Sequence, residues 1–265
     1  MKKTIGIMGA MPEEIDGVVA LLNNCKTFSM GQRTYYSGQI NDIDTIVVFS
    51  RWGKVAAATT VSTLIHHFNI TDLIFTGVAG AIKDNLKIGD IVLAKRLIQH
   101  DMDARPLMAQ FEIPLLSKSY FDCDSSLLNI SANAINTLLE EKCLHTTIGD
   151  KELENFNIRH PKLYIEDIAS GDQFFSSNEQ KNNLCLQLPN IACVEMEGAA
   201  VAQVCYEYNI PFVVIRTISD AADEQSHIDF PSFIKEISSK YSTEIIKNIY
   251  NQLQHLNFMS KSKKC

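Results

Sequence analysis

Short apolar runs alternate with segments of helical period along most of the chain. The apolar runs have the length of single buried strands and are rich in Ile, Val and Phe. Strands are predicted over residues 4–9, 35–40, 45–50, 72–77, 89–94, 163–169, 190–194 and 211–219. Helices are predicted over residues 12 to about 22, 54–68, 124–141, 178–188 and 196–208, and within 230–256.

This alternation predicts an α/β fold, with helices on both faces of a largely parallel sheet. The strands at 35–40 and 45–50 are close in sequence, and the turn residues Asn41-Asp42 between them predict a hairpin. Residues 105–119 and 149–161 lack a clear period and are expected to be loops or insertions. We expect one domain over residues 1–258 and a polar tail over 259–265.

Composition narrows the classes of function. The chain has 265 residues, 46% of them hydrophobic and 21% charged, which is typical of a folded globular protein. Lys and Arg total 24 against 31 Asp and Glu, and the net charge of −7 disfavours a nucleic-acid partner. The sequence holds no apolar run long enough to span a bilayer. Seven cysteines without a CxxC pair indicate reduced thiols and a cytoplasmic protein.

Acidic side chains follow three of the predicted strands. Glu13 and Glu14 come after the first strand, Glu195 and Glu197 after the strand at 190–194, and Asp220 after the strand at 211–219. Ligands of open α/β sheets bind at the carboxyl ends of strands, so these acids are candidates for one shared site. Acids at these positions also complement helix dipoles or cap helices, and the spacing alone leaves both interpretations open.

Other motifs are weaker. The run His100-Asp101-Met102-Asp103 contains metal-binding residue types, but no partner cluster has ligand spacing, and no metal site is expected. The segment Gly77-Val78-Ala79-Gly80 falls short of a dinucleotide-binding fingerprint. The sequence has no Gly-X-Ser-X-Gly elbow, which disfavours a serine hydrolase.

Six short motifs occur together in a characteristic order. They are GIMGAMPEE (6–14), GKVAAA (53–58), TGVAG (76–80), SGD (170–172), VEME (194–197) and RTISD (216–220). In this order they are similar to the motifs of bacterial 5′-methylthioadenosine/S-adenosylhomocysteine nucleosidases, over residues 4 to about 240. The resemblance implies a nucleoside phosphorylase-like fold with a twisted mixed central sheet flanked by helices. It also implies a homodimer that uses neither a metal nor an organic cofactor.

The resemblance implies roles for particular residues. Glu14 would be the general base that activates water, Glu197 would hold the ribose hydroxyls, and Asp220 would bind adenine and protonate N7. Further substrate-binding positions would be Met196, Ser219, Phe174, Phe175, Gly77, Val78 and Glu195. Such acids suit the reaction, because N-glycosidic cleavage forms an oxocarbenium-like sugar and an adenine that leaves poorly as an anion.

Two segments bear on the 5′ substituent of the substrate. The family's usual Ser-Gly-Ile-Gly-Lys is replaced here by residues 50–54, Ser-Arg-Trp-Gly-Lys. By the resemblance, the loop at 103–114 would lend apolar side chains to the 5′ pocket of a second subunit. The candidates are Leu107, Met108 and Phe111.

The sequence therefore predicts a cytoplasmic hydrolase of small adenine nucleosides that acts in methionine salvage and methyl-cycle detoxification. Three alternatives stay open. The first is phosphorolysis, for which Arg51 and Arg216 are candidate phosphate ligands. The second is a nucleoside-binding protein without catalysis. The third is hydrolysis of another adenine nucleoside, such as aminodeoxyfutalosine.

Overall fold

The computed structural model describes residues 2–262, excluding the side chains of residues 227–229 and 257–262. Within this range the strands are β1 Thr4–Gly9, β2 Asn23–Met30, β3 Arg33–Ile40, β4 Ile43–Phe49, β5 Asp72–Ala81, β6 Ile91–Gln99, β7 Tyr120–Asp122, β8 Leu163–Ser170, β9 Ile191–Glu195 and β10 Phe212–Asp220. The helices are α1 Pro12–Val19, α2 Lys54–His66, α3 Ser125–Leu139, α4 Glu141–Ile148, α5 Asp150–Asn155, α6 Asn178–Gln187, α7 Gly198–Glu207, α8 Ser226–Phe233 and α9 Ser239–Ser262. A π-helical turn, Ile234–Ser238, joins α8 to α9.

All described strands belong to one sheet. Its open side runs β2-β3-β4-β1-β5, and β5 then pairs with both β10 and β9. Because β10, β6, β8 and β9 also pair in that order, the second half of the sheet closes into a ring with β5. Strand twist makes such closure possible, and the ring gathers several strand ends around one point.

The sheet is mixed, and the expectation of a largely parallel sheet is wrong in this respect. β5 is parallel to β1 and β10 but antiparallel to β9, and β10 is antiparallel to β6. The predicted hairpin of β3 and β4 is antiparallel, as expected from its short connection.

Alternation along the strands divides the core into two layers. Ile5 and Ile7 of β1 pack with α1, α3 and α9, whereas Met8 packs with the layer that contains α2 and α7. Side chains of successive strand residues point to opposite faces of the sheet, so one buried strand contributes side chains to both core layers. This explains why β1 is a continuous apolar run rather than an alternating one.

Three local predictions were wrong. β2 was not predicted, because it is an edge strand whose residues are almost all exposed and carry no apolar alternation. The strand predicted to end at residue 77 continues to Ala81 as β5. Residues 149–161, which were expected to form a loop or an insertion, contain α5. Residues 105–119 form a loop, as predicted.

The C-terminal end is only partly described. Helix α9 continues to Ser262, and residues 263–265 of the predicted tail lie outside the described residues. The division of the chain at residue 258 therefore stays a prediction. Among the described helices, none is both long and apolar enough to cross a membrane.

Candidate active site

The ends of β1, β5, β9 and β10 surround a cleft. Its lining combines apolar and aromatic side chains with a few acids, as is typical of small-molecule sites. The residues that line it are Ala10, Met11, Glu14, Trp52, Val78, Ala79, Gly80, Gln173, Phe174, Phe175, Val194, Glu195, Met196, Glu197, Ser219, Asp220 and Phe230. The structure thus brings together acids from all three predicted strand ends: Glu14, Glu195, Glu197 and Asp220, but not Glu13.

Glu14 is fixed in the first turn of α1 and is 2% exposed. Its Oε2 accepts hydrogen bonds from the backbone N–H groups of Ala10 (2.6 Å) and Met11 (3.0 Å), and its Oε1 accepts from Val78 on β5 (3.2 Å). Burial raises the pKa of Glu14, and the guanidinium of Arg216 and these N–H groups offset part of the effect. Glu13 is exposed. The two neighbouring acids therefore have different environments, and Glu14 faces the cleft.

Gly77 does not line the cleft, but its lack of a side chain makes room for Glu14. A Cβ at this position would lie 2.8 Å from Glu14 Oε1. Val78, the next residue of β5, lines the cleft and donates its backbone N–H to the same carboxylate. Small residues on β5 therefore set how closely Glu14 approaches the strand.

Glu195 is held by the fold from several sides. Its carboxylate pairs with Arg216, with 2.7 Å between Oε2 and Nη2, and accepts a hydrogen bond from Ser170 Oγ. It also accepts from the backbone N–H groups of Glu197 and Gly198 at the start of α7. Both oxygens are thus engaged within the protein, although Glu195 lines the cleft.

Glu197 lies two residues further on and has a different environment. It is 5% exposed, and its Oε1 accepts a hydrogen bond from the backbone N–H of Gly53 at 2.7 Å. Burial, together with the negative charge of Glu195, raises the pKa of Glu197 to about 8. Met196, between the two acids, also lines the cleft. Of Glu195 and Glu197, Glu197 is therefore the acid that can accept hydrogen bonds from a ligand.

Asp220 ends β10 and is 3% exposed. Its Oδ2 accepts a hydrogen bond from Ser219 Oγ at 2.8 Å, and its Oδ1 accepts from the backbone N–H of Ala222 at 2.9 Å. The second bond is the local turn contact that a purely structural aspartate would make. Asp220 also lines the cleft, which a turn contact alone does not require.

Aromatic side chains form the other wall. Phe174 is 39% exposed, and its ring meets that of Phe230 edge-on at 5.6 Å between centroids. The Trp52 ring also meets the Phe230 ring edge-on, with 6.2 Å between centroids. Phe175 is buried and also lines the cleft. The sequence identified Phe174 and Phe175 but not Phe230, which lies in a helix where an aromatic residue carries no distinguishing signal.

The loop residues expected in a 5′ pocket do not line the cleft of their own chain. Leu107 is 90% exposed, Met108 is partly exposed, and Phe111 packs beside the core cluster that contains Phe175. Their contribution to a second subunit stays a prediction.

The structure also accounts for the two arginines considered as phosphate ligands. Arg216 is 1% exposed; besides Glu195, its Nη1 contacts the backbone carbonyl of Ile215 at 3.1 Å, and its guanidinium lies over the Phe75 ring. Arg51 donates to the backbone carbonyl of Gln32. Neither lines the cleft, and the described lining residues include no Lys or Arg. The sequence offered Arg216 only as a candidate phosphate ligand, because its partner Glu195 lies on another strand, 21 positions away.

No metal site is evident either. Among the described residues, no group of three or more His, Cys, Asp or Glu side chains is arranged to hold an ion. The acids of the cleft are instead occupied by backbone N–H groups and by Arg216.

Comparisons with known proteins agree with this geometry. Residues 4–250 match the family model described as the phosphorylase superfamily. An aminodeoxyfutalosine nucleosidase of Helicobacter pylori is 33% identical over 254 residues, covering 96% of this chain and all of that protein. A 5′-methylthioadenosine/S-adenosylhomocysteine nucleosidase of Shewanella denitrificans is 33% identical over 230 residues, covering 87% of this chain and 91% of that protein.

Solved structures show the same likeness. S-adenosylhomocysteine nucleosidase of Streptococcus pyogenes, in complex with 5-methylthiotubericidin, superposes with a TM-score of 0.81 at 32% identity. The match covers 95% of this chain and 98% of that one. These findings confirm the fold class and the family relationship indicated by the motifs, and the chain belongs to the phosphorylase superfamily.

Proposed function

We propose that this protein hydrolyses the N-glycosidic bond of 5′-methylthioadenosine and S-adenosylhomocysteine, releasing adenine and the 5-thioribose product. The observation that carries the proposal is the convergence of Glu14, Glu197 and Asp220 on one cleft whose described lining has no cation. The similarity to nucleosidases of the same superfamily supports it.

In this proposal each acid has one task. Asp220, oriented by Ser219, donates a proton to N7, so that adenine leaves as a neutral molecule when the bond to C1′ breaks. Glu197 accepts hydrogen bonds from the ribose hydroxyls and stabilises the positive charge that develops on the sugar. Glu14 takes a proton from the water whose oxygen bonds to C1′.

The remaining lining residues would hold the substrate. The ring of Phe174 would stack on adenine and the backbone of Phe175 would hydrogen-bond to its edge. Met196 and Val78 would pack against the ribose. The ring of Trp52 lies at the mouth of the cleft, next to Gly53 and therefore on the ribose side.

A second substrate deserves the same test. Hydrolysis of aminodeoxyfutalosine uses the same adenine and ribose chemistry, and a relative that carries this name covers 96% of the chain at 33% identity. Trp52, which replaces the isoleucine of the family motif, lines the cleft, and the 5′ substituent is the part in which these substrates differ. The choice between these substrates therefore depends on the 5′ side and not on the acids.

The cellular setting follows from this reaction. We expect a cytoplasmic enzyme that acts in methionine salvage and removes the by-products of methyl transfer. We also expect a homodimer, because Leu107 is 90% exposed and the loop that carries it does not line the cleft of its own chain.

A substrate panel tests the proposal. The purified protein is incubated with methylthioadenosine, adenosylhomocysteine or aminodeoxyfutalosine, with and without phosphate, and adenine is measured chromatographically. Hydrolysis in ¹⁸O-labelled water should place one labelled oxygen at C1 of the sugar, at a rate that does not depend on phosphate. A sugar 1-phosphate would instead establish phosphorolysis, and bound nucleoside without adenine release would establish a binding protein.

A further inference from the structure

Two loops that line the cleft are joined at their bases by one group of polar side chains. The first loop, residues 50–54, carries Trp52, and the second, residues 171–175, carries Phe174 and Phe175. The joining group is Lys54, Asp101 and Asp172, which lie outside the lining of the cleft. Asp101 belongs to the His100–Asp103 run, whose metal-binding composition no other observation had explained.

The contacts of Asp101 connect both loops. Its Oδ1 accepts from Lys54 Nζ at 2.6 Å, and its Oδ2 accepts from the backbone N–H of Asp172 at 2.9 Å. The side chain of Asp172 in turn accepts from the backbone N–H of Lys54 at 2.8 Å. Each of the two carboxylates therefore contacts Lys54, and the three residues close a loop-to-loop clamp.

The clamp continues directly into the site. Gly53, the residue before Lys54, donates its backbone N–H to Glu197. It has a φ of 92°, and a Cβ there would lie 3.0 Å from Asp172 Oδ1, so glycine suits both the backbone conformation and the space. Successive N–H groups of one loop thus point to two carboxylates, one in the clamp and one in the cleft.

The neighbouring His100 supports the second loop from below. Its ring lies edge-on to Phe175, with 5.3 Å between centroids, and packs so closely on Gly171 that a side chain there would collide with it. Partial burial raises the pKa of Asp101, but the hydrogen bonds from Lys54 and Asp172 and the nearby positive charges together outweigh it and leave the pKa below the ordinary value. The clamp therefore contains an ionised carboxylate at neutral pH.

We propose that Asp101 is a positioning residue that, through Lys54 and Asp172, holds both loops in the conformation that binds the nucleoside. The inference rests on the proposed function, because it concerns how that cleft is kept ready for substrate. Asp101 lies outside the lining of the cleft and acts through the loops. Without the clamp, the substrate has to order the loops on binding, which weakens its apparent affinity.

The variant Asp101→Asn tests the clamp at constant size. The two donors contact different oxygens of Asp101, so the single acceptor oxygen of Asn can replace only one contact, and its NH₂ group faces the other donor. If the binding-competent population falls to about one tenth, KM rises about tenfold while kcat stays within about twofold. Lys54→Met should have the same effect, and the double variant should be little worse than either single one. Glu166→Gln is the matched control, because it removes a carboxylate from the Lys83 pair (2.8 Å, similarly exposed) away from the cleft.

A second measurement does not depend on catalysis. Trp52 is the single tryptophan of the chain, so its fluorescence anisotropy reports directly on the first loop. We expect faster local motion of the indole in Asp101→Asn and Lys54→Met than in the wild type and in Glu166→Gln. Unchanged anisotropy in folded variants overturns the proposal, as does a fall in kcat without a change in KM. If the wild type released no adenine at all, the proposed function would fail, and the anisotropy would still decide whether the clamp exists.

Discussion

Glu195 Oε2 and Arg216 Nη2 lie 2.7 Å apart, and their side chains are only 3% and 1% exposed. This ion pair ties β9 to β10 beneath the cleft. It engages the arginine that sequence analysis considered for phosphate, and it separates the roles of the two acids in the VEME motif.

Removing one partner of this pair should be costly. Glu195→Gln leaves the guanidinium of Arg216 buried without its counter-charge, and breaking a buried pair in this way typically lowers the free energy of unfolding by about 3–5 kcal/mol. Urea denaturation measures the change. The control Glu244→Gln breaks the more exposed Lys247 pair on α9 and should change it by at most about 1 kcal/mol. Similar losses in both variants would contradict a special role for the buried pair.

Glu197→Gln should show opposite effects on activity and stability. The folded protein keeps a proton on Glu197 up to a pKa of about 8, whereas the unfolded chain releases it near 4.3. Stability from this group is therefore complete below about pH 4.3 and is lost as pH rises towards 8. Glutamine cannot titrate, and it still offers an oxygen to the N–H of Gly53.

The melting temperature of Glu197→Gln should therefore exceed that of the wild type by a margin that is small near pH 5 and grows towards pH 8.5. Turnover should be largely lost, because an amide cannot ionise to the carboxylate that stabilises the positive charge developing on the sugar. Thermal melting across this pH range and a rate assay on the same samples check both expectations. A constant difference in melting temperature would show that Glu197 is not the titrating group, and near-normal turnover would reject its role in catalysis.

The elements that were predicted well are those whose burial produces an apolar run or a helical spacing in the sequence. β1 and α2 were placed from apolar runs and helical spacing, and their observed bounds match closely. β2 shows no such pattern because its residues are exposed at the edge of the sheet. The extension of β5 through Gly77–Ala81 was missed because a segment rich in glycine and alanine has no strand signal when its sheet partners are unknown.

The candidate site was predictable as a set of acids at strand ends, but the different contacts of the individual acids were not. That Glu195 binds Arg216 while Glu197 meets Gly53 depends on contacts across 21 and 144 positions of the chain. The clamp formed by Asp101 likewise joins segments 47 and 71 positions away. Sequence spacing carries no information about such distances without the fold.

Asp220→Asn should abolish cleavage of adenine nucleosides by a factor of about 10²–10⁴, the usual contribution of a general acid. The fold should persist, since an amide oxygen can still accept from the N–H of Ala222. A nitrophenyl riboside, whose leaving group needs no proton, should lose much less rate. Asp223→Asn, which alters a local turn contact with Gln225, is the control. Equal losses on both substrates would point to a structural cap instead.

Leu107 should lie in a subunit interface. Leu107 is 90% exposed in a single chain and is followed by the partly exposed Met108, so the loop presents adjacent apolar side chains to solvent. Leu107→Asp should shift the protein towards monomer in sedimentation at micromolar concentration and raise KM. Leu256→Asp, at an exposed leucine on α9, should do neither. A wild type that is monomeric and fully active at nanomolar concentration would contradict the shared pocket.

Glu14 and Glu13 allow the catalytic and structural interpretations of the first strand end to be separated. Both lie in the first turn of α1, where each negative charge contributes about 0.3–1 kcal/mol through the helix dipole. Only Glu14 is buried, and its carboxylate receives the N–H groups of Ala10, Met11 and Val78. A dipole effect therefore applies to both acids, whereas proton transfer from water requires Glu14.

Glu14→Gln should bind substrate with little change but turn over very slowly, because an amide cannot take the proton of the attacking water. Glu13→Gln should keep its rate and lose at most a small amount of stability. Equilibrium binding of a non-hydrolysable adenine nucleoside and single-turnover rates separate the two effects. The wild-type rate should be the same with and without phosphate, since the carboxylate of Glu14 repels a dianion at this position. An active Glu14→Gln enzyme, or turnover that requires phosphate, would defeat the assignment of Glu14 as the base.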